Sequence, residues 1–197
     1  MSSPSVRRGT RVGRGSWRSN IAMSDVNLPF EVTTLSDEQL RLLHVAVDRE
    51  AARRKLPLGV GEIGEQLVLD LFRTRPDLPV LVLSARGTKN VDALSRDGER
   101  YSIKTLLRAR KTGTVYPDPV DANRQLFEFL VIVLLSDQFE LAQVYRLSWA
   151  EFCAVRSWDM RMNAWYVARS TRALTPGKLI FPNTPTVSKP VKPRRRQ

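Results

Sequence analysis

The chain has 197 residues, of which 42% are apolar and 26% charged, enough for one ordinary domain with a real core plus tails. One cysteine, Cys153, and one histidine, His44, exclude an internal disulfide framework and a Cys/His zinc site, and they suit a reducing, cytoplasmic compartment. The net charge of +12 is concentrated at the ends: residues 1–23 and 183–197 each carry five basic residues and no acid, leaving about two of those charges to the middle.

This distribution divides the chain into a basic tail over 1–23, a domain over 24–182 and a basic, proline-rich tail over 183–197, with both tails expected to be disordered. Such tails either hold a polyanion without sequence preference or simply stay solvated. The first tail is rich in Arg and Ser and free of acids, as transit peptides are, but it has almost no apolar residues for an amphipathic helix. Ordinary globular composition begins directly after Met23, which we read as the true start. No apolar h-region of a secretory signal is present. The longest apolar run, Phe129 to Leu135, is far too short to span a bilayer and reads as a buried strand, so no membrane association is expected.

In chain order, Ser36 followed by Gln39 is a capping-box pattern that opens a helix over 36–54. Leu40, Leu43 and Val47 recur along it at helical spacing. A second helix covers about 60–74, with Ile63, Leu67 and Leu71 on one face and Pro76 beyond its end. The period then changes. Val80 to Leu83, Val91 to Ser95 and Arg100 to Leu107 read as strands, the last two flanking the turn signal Arg96-Asp97-Gly98. Phe127 to Leu135 is a central strand, and Glu140 to Tyr145 returns after a turn at Ser136-Asp137-Gln138. Ser148 caps a short helix through Phe152, and Trp165 to Ala168 and Leu179 to Phe181 are further strands. Helices followed by strands imply an α/β (α+β) mixed sheet with helices packed on it.

One constellation in this order carries chemistry. Ser102 and Lys104 share a face of their strand, because alternate residues do. Whether Asp92 joins them depends on the turn. A two-residue turn at Asp97-Gly98 would place Asp92 opposite Ile103, on the wrong face. A three-residue loop ending in a left-handed Gly98 places it opposite Ser102. That second register also pairs Val91 with Ile103 and Ala93 with Tyr101, which gathers the apolar residues on one face. A carboxylate and a lysine so placed suit phosphodiester hydrolysis. Asp92 would hold Mg²⁺, or Mn²⁺, an ion that favours oxygen ligands. Lys104 would orient water or stabilise developing charge. Glu62 and Glu65, three apart on the preceding helix, can supply a second carboxylate, and the Ile103 carbonyl a further ligand. On an arbitrary hairpin the same Asp–Lys pair is a surface ion pair worth little. Arg108, Arg110 and Lys111 follow the strand and would neutralise phosphates beside such a site.

Gly61-Glu62-Ile63-Gly64-Glu65 on a helix, Asp92 on a strand and Lys104 on the next together resemble the PD-(D/E)xK, restriction-endonuclease-like nuclease superfamily, nearest to its small bacterial members of unassigned function. The resemblance covers roughly residues 58–152. It implies an αβββαβ core, metal-dependent endonuclease (phosphodiester hydrolase) activity on DNA, with RNA a less frequent substrate, and Glu65, Asp92 and Lys104 as helix carboxylate, metal carboxylate and catalytic lysine. The sequence departs from the superfamily at position 102, where a second strand carboxylate is expected and serine stands.

Two further readings remain beside the nuclease. Ser102 and the basic tails fit a catalytically inactive nucleic-acid-binding module on the same fold. The tryptophan-rich segment 149–165 fits a protein-interaction partner, such as a toxin, an antitoxin or a component of a bacterial or phage defence system. A homodimer suits the cutting of two strands. No Gly-rich loop opens a helix after a strand, so a nucleotide-binding enzyme is not indicated, and His44 lacks a nucleophile motif beside it.

Overall fold

A computed structural model describes residues 31–56, 58–85 and 87–182. Both basic tails expected from the sequence, and the start at Met23, lie outside the described residues.

Helix α1 (Asp37–Arg54) begins as expected: Gln39 N–H donates to the Ser36 hydroxyl at 3.3 Å, and Ser36 N–H to the Gln39 side chain at 2.8 Å. It ends at Lys55, whose φ of 57° is left-handed. Its apolar stripe is not core. Ala51 is the one fully buried residue, while Leu40, Leu42, Val45 and Val47 are exposed. Helix α2 (Val60–Thr74) stops where Arg75 turns extended before Pro76, since a residue preceding proline disfavours the α region. Its buried line is Gly64, Val68 and Phe72, one residue on from the Ile63, Leu67 and Leu71 line expected from spacing. The latter three flank the core instead. Full burial of Val68 and Phe72 stabilises the domain by about 1.5–3 kcal/mol each.

The strands are β1 (Leu81–Leu83), β2 (Ala93–Ser95), β3 (Arg100–Leu106), β4 (Phe129–Leu135), β5 (Leu141–Ser148), β6 (Ser157–Asp159), β7 (Ala164–Tyr166) and β8 (Lys178–Phe181). Six of them form one mixed sheet in the order β1-β2-β3-β4-β5-β8, with β3 and β4 parallel and every other pair antiparallel. Strand β4 is a continuous apolar run because both its faces are covered. Val131, Val133 and Leu135 meet the α2 side with Phe72, Ala93, Tyr101 and Ile103. Leu130, Ile132 and Leu134 meet the opposite layer. That layer is built from α3 (Trp149–Val155), the β6–β7 hairpin and α4 (Thr171–Leu174). Helix α3 carries the expected cap at Ser148, completed by a reciprocal bond from Glu151.

The fold class is thus a mixed α/β domain with a six-stranded sheet. Strand β6 was not anticipated, because Ser157-Trp158-Asp159 is too short to show a period. Residues 107–128 link the parallel strands without a helix, bridging instead to β7 and its continuation at Val115–Trp165 and Lys111–Ala168. Among the described residues, no helix is long and apolar enough to cross a membrane.

Candidate functional site

The β2–β3 hairpin has the three-residue loop expected from the sequence. Ser95 N–H donates to Glu99 O at 2.9 Å, Arg96, Asp97 and Gly98 lie between them, and Gly98 has a φ of +82°. An L-residue with a Cβ resists that conformation, so glycine fixes the loop length. The loop length fixes the register, which pairs Ala93 with Tyr101 and Leu94 with Arg100. At Asp92 the pairing changes: its N–H donates to the same Tyr101 carbonyl, at 2.8 Å. Its carboxylate turns onto β3. There Oδ2 accepts from the Ser102 hydroxyl at 3.1 Å, from the Ile103 N–H at 2.6 Å and from Lys104 Nζ at 3.3 Å.

These contacts are largely withdrawn from water. The side chains of Asp92 and Lys104 are 23% and 18% exposed, and Ser102 is fully buried. Screening is therefore weaker here than for a surface pair. The β4 side of β3 receives Arg100, whose N–H and C=O both bond to Glu128. Tyr101 and Ile103 face the β2 edge. A strand residue points its N–H and C=O to the same edge, so the Ile103 carbonyl leaves β3 on the side of Asp92.

Glu65 reaches this site from α2. Its carboxyl is pushed above the usual glutamate range, first by burial and then by the negative charge of Asp92, against the opposing pull of Lys104. Glu62 adds a smaller upward push. The helix can come this close because residue 64 is glycine: a Cβ there would lie 1.9 Å from Thr105 Oγ1. Glu65, Asp92 and Lys104 thus form one electrostatic group. Among the described residues, no three His, Cys, Asp or Glu side chains converge tightly enough to hold an ion unaided. The oxygen donors at hand are Asp92, Glu65, the Ile103 carbonyl and, further out, Glu62. All are hard ligands of the kind Mg²⁺ prefers, and Mg²⁺ usually keeps several waters.

Compared with family models and with curated proteins, the chain matches none.

The three basic residues after β3 do not act alike. Arg108 is bound to Asp137 at 2.8 Å, and Lys111 to Asp159, with Lys111 Nζ also 4.7 Å from the centre of the Tyr166 ring. Arg110 is exposed and has no carboxylate partner among the described residues. The loop beyond them passes over the site: a Cβ at Gly113 would meet Lys104 Cδ at 3.8 Å. Asn90 donates to the Tyr116 carbonyl at 2.9 Å, and Lys89 Nζ lies 5.9 Å from the Tyr116 ring. This link between the segment before Asp92 and the segment after Lys104 has no local sequence signal, since its partners are 26 residues apart. In the 149–165 segment, Trp165 is buried under the Arg156 guanidinium at 3.7 Å, whereas Trp158 is 40% and Met160 84% exposed.

Proposed function

We propose that this chain is a metal-dependent nuclease of the restriction-endonuclease-like kind, acting on DNA phosphodiester bonds. The observation that carries this reading is the convergence of Lys104 Nζ and the Ile103 amide on one carboxylate oxygen of Asp92, with Glu65 within electrostatic reach. The meander β1-β2-β3 beside a parallel β4 supports it too, since that arrangement fits the superfamily core, although the β3–β4 link here lacks a helix.

Mg²⁺ or Mn²⁺ held by Asp92, Glu65 and the Ile103 carbonyl would polarise the phosphate and lower the pKa of a bound water. The protein groups do the rest. Asp92 holds the Lys104 ammonium at 3.3 Å, so the lysine enters the reaction oriented. Lys104 stabilises negative charge developing on the phosphate oxygens. Glu65, whose carboxyl burial and the Asp92 charge push above the usual glutamate range, would be relieved by a cation beside it. Arg110 is placed to neutralise a phosphate flanking the site.

Ser102 supports a second reading, a nucleic-acid-binding module without turnover, because the position of a strand carboxylate is filled by a buried hydroxyl that donates to Asp92. The deciding experiment is cleavage of plasmid, linear, single-stranded and branched DNA in Mg²⁺ or Mn²⁺, alongside Asp92→Ala and Lys104→Ala. Metal-dependent cutting lost in both variants is expected. Binding without cutting of any substrate would overturn the nuclease and leave the module.

A further inference from the structure

A second concave site lies on the sheet face that carries Lys104, two strands across from it, since Lys104 pairs with Ile132 and Ile132 with Tyr145. Leu134 pairs with Gln143, and Ile132 with Tyr145, so these residues of β4 and β5 share the face that also carries Leu147. The chain returns across them at 169–175. It is anchored there by the Arg169 N–H on the Arg110 carbonyl at 2.7 Å and by the Arg169 guanidinium on the Leu107 carbonyl at 3.1 Å. Between the two layers is a cavity of about 420 Å³, within the ~300–1,000 Å³ of small-molecule sites. Leu134 and Leu174 form its apolar floor, and Gln143, Tyr145, Arg169 and Thr171 supply its polar wall.

The wall has one sign. It contains an arginine, an amide and hydroxyls, and no carboxylate. Among the described residues, the Gln143, Tyr145 and Thr171 side chains have no hydrogen-bond partner, and Arg169 spends a single N–H on Leu107. Arg110 and Arg172 are exposed nearby in the chain, at the carbonyl that receives Arg169 and within α4. Donors around a cation recognise an oxyanion, and Arg pairs with phosphate through two parallel N–H bonds. The volume exceeds what a bare anion needs and leaves room for a group esterified to it.

We propose that this cleft binds a phosphomonoester of nucleotide size, with the phosphate on Arg169 and the esterified group beside Gln143 and Tyr145. The assignment stands apart from the Asp92 site and does not depend on cleavage there. Both a free mononucleotide and the 5′-phosphorylated end of a nucleic-acid strand present this chemistry.

Isothermal titration calorimetry on the full chain tests it with adenosine 5′-monophosphate, adenosine, and a short oligothymidylate with and without a 5′-phosphate. The monophosphate is expected to bind at least about ten-fold more tightly than adenosine, as hydrogen bonds to charged groups imply. Arg169→Ala should remove that preference. Because Arg169 also holds the Leu107 carbonyl, Tyr145→Phe and Gln143→Leu provide variants that leave the backbone tie intact, and each should weaken the monophosphate several-fold. Arg73→Ala, a charge change on α2, should leave binding unchanged. A 5′-phosphorylated oligonucleotide that binds as well as the monophosphate identifies a strand end as the source, and one that does not bind identifies the free nucleotide. Equal affinity for adenosine and its monophosphate, no binding of any probe at millimolar concentration, or an Arg169→Ala protein that binds as before overturns the proposal.

Discussion

Substituting Gly64 by alanine tests how α2 delivers Glu65. The new Cβ would lie 1.9 Å from Thr105 Oγ1, 2.6 Å from Cγ2 and 2.7 Å from Cβ. Carbon contacts are comfortable at about 3.5–4.0 Å, so all three are severe overlaps. Rotating Thr105 relieves two of them but not the third, because its Cβ is fixed to a strand paired with β4. The helix must therefore lift. Overpacking of this kind costs about 1–3 kcal/mol, and the better helix propensity of alanine returns about 1 kcal/mol. With three overlaps the upper end applies, giving a net loss of about 2 kcal/mol, or roughly 4–8 °C in Tm for a domain of this size. Urea unfolding followed by circular dichroism measures it. Adding Thr105→Ala removes Oγ1 and Cγ2 but leaves Cβ, so the double variant should recover part of the loss, with a coupling of about 1 kcal/mol. Any cleavage activity should fall as well, because Glu65 is the next residue. A Gly64→Ala protein within about 0.5 kcal/mol of wild type would refute the close-approach argument.

Other consequences follow from the same group of residues. Glu65 has a raised pKa in the folded state, so its contribution is fully present below the ordinary glutamate pKa and is lost as pH rises through the raised value. Glu65→Gln should then stabilise the protein at neutral pH and leave it unchanged in acid, as read by urea midpoints across pH. Ser102→Asp puts a second carboxylate against Asp92 in a fully buried position. It should lower Tm without divalent cations and make Tm rise with Mg²⁺, and a Tm indifferent to Mg²⁺ would count against Asp92 as a ligand. Arg110→Ala should weaken DNA binding across sequences and reduce the slope of log K against log salt by about 1. Lys111→Ala should leave that slope unchanged, because Lys111 already neutralises Asp159. Filter binding at several salt concentrations separates the two.

What could be read from the sequence was whatever is set by short-range chemistry. The capping box at Ser36 and the cap at Ser148 appeared because their partners lie three residues along the chain, although the reciprocal Glu151 bond at Ser148 was not anticipated. The hairpin register followed from Gly98 and from the requirement that Ala93 and Tyr101 share an apolar face. The paired register ends at Ala93, so the expected Val91–Ile103 pair does not form, and Asp92 meets Ser102 and Lys104 because its carboxylate turns onto β3. The misplaced features depend on tertiary partners. Helix α2 buries Gly64, Val68 and Phe72 because β3 accepts the helix at its glycine, a contact that apolar spacing does not encode. The ion pairs of Arg108 with Asp137 and of Lys111 with Asp159 join residues 29 and 48 positions apart, so no local pattern announces them.

Charge counting explains why position 102 matters more than its size suggests. Asp92 and Lys104 neutralise one another, and the Ser102 hydroxyl and Ile103 amide satisfy the same carboxylate oxygen without adding charge. The buried pair is thus balanced as it stands, and only Glu65 is left with an unfavourable carboxylate neighbour. A carboxylate at 102 would add a second uncompensated negative charge in a fully buried position, where an unpaired ion costs several kcal/mol. Such a site would require a cation to fold well. With serine the hairpin folds without one, and the demand for positive charge rests on Glu65. On the proposed reading, a divalent ion would enter between Glu65 and Asp92, where it would relieve the charge that raises the Glu65 pKa. Its affinity is set by the distance of α2 from β3, and so by the glycine at position 64.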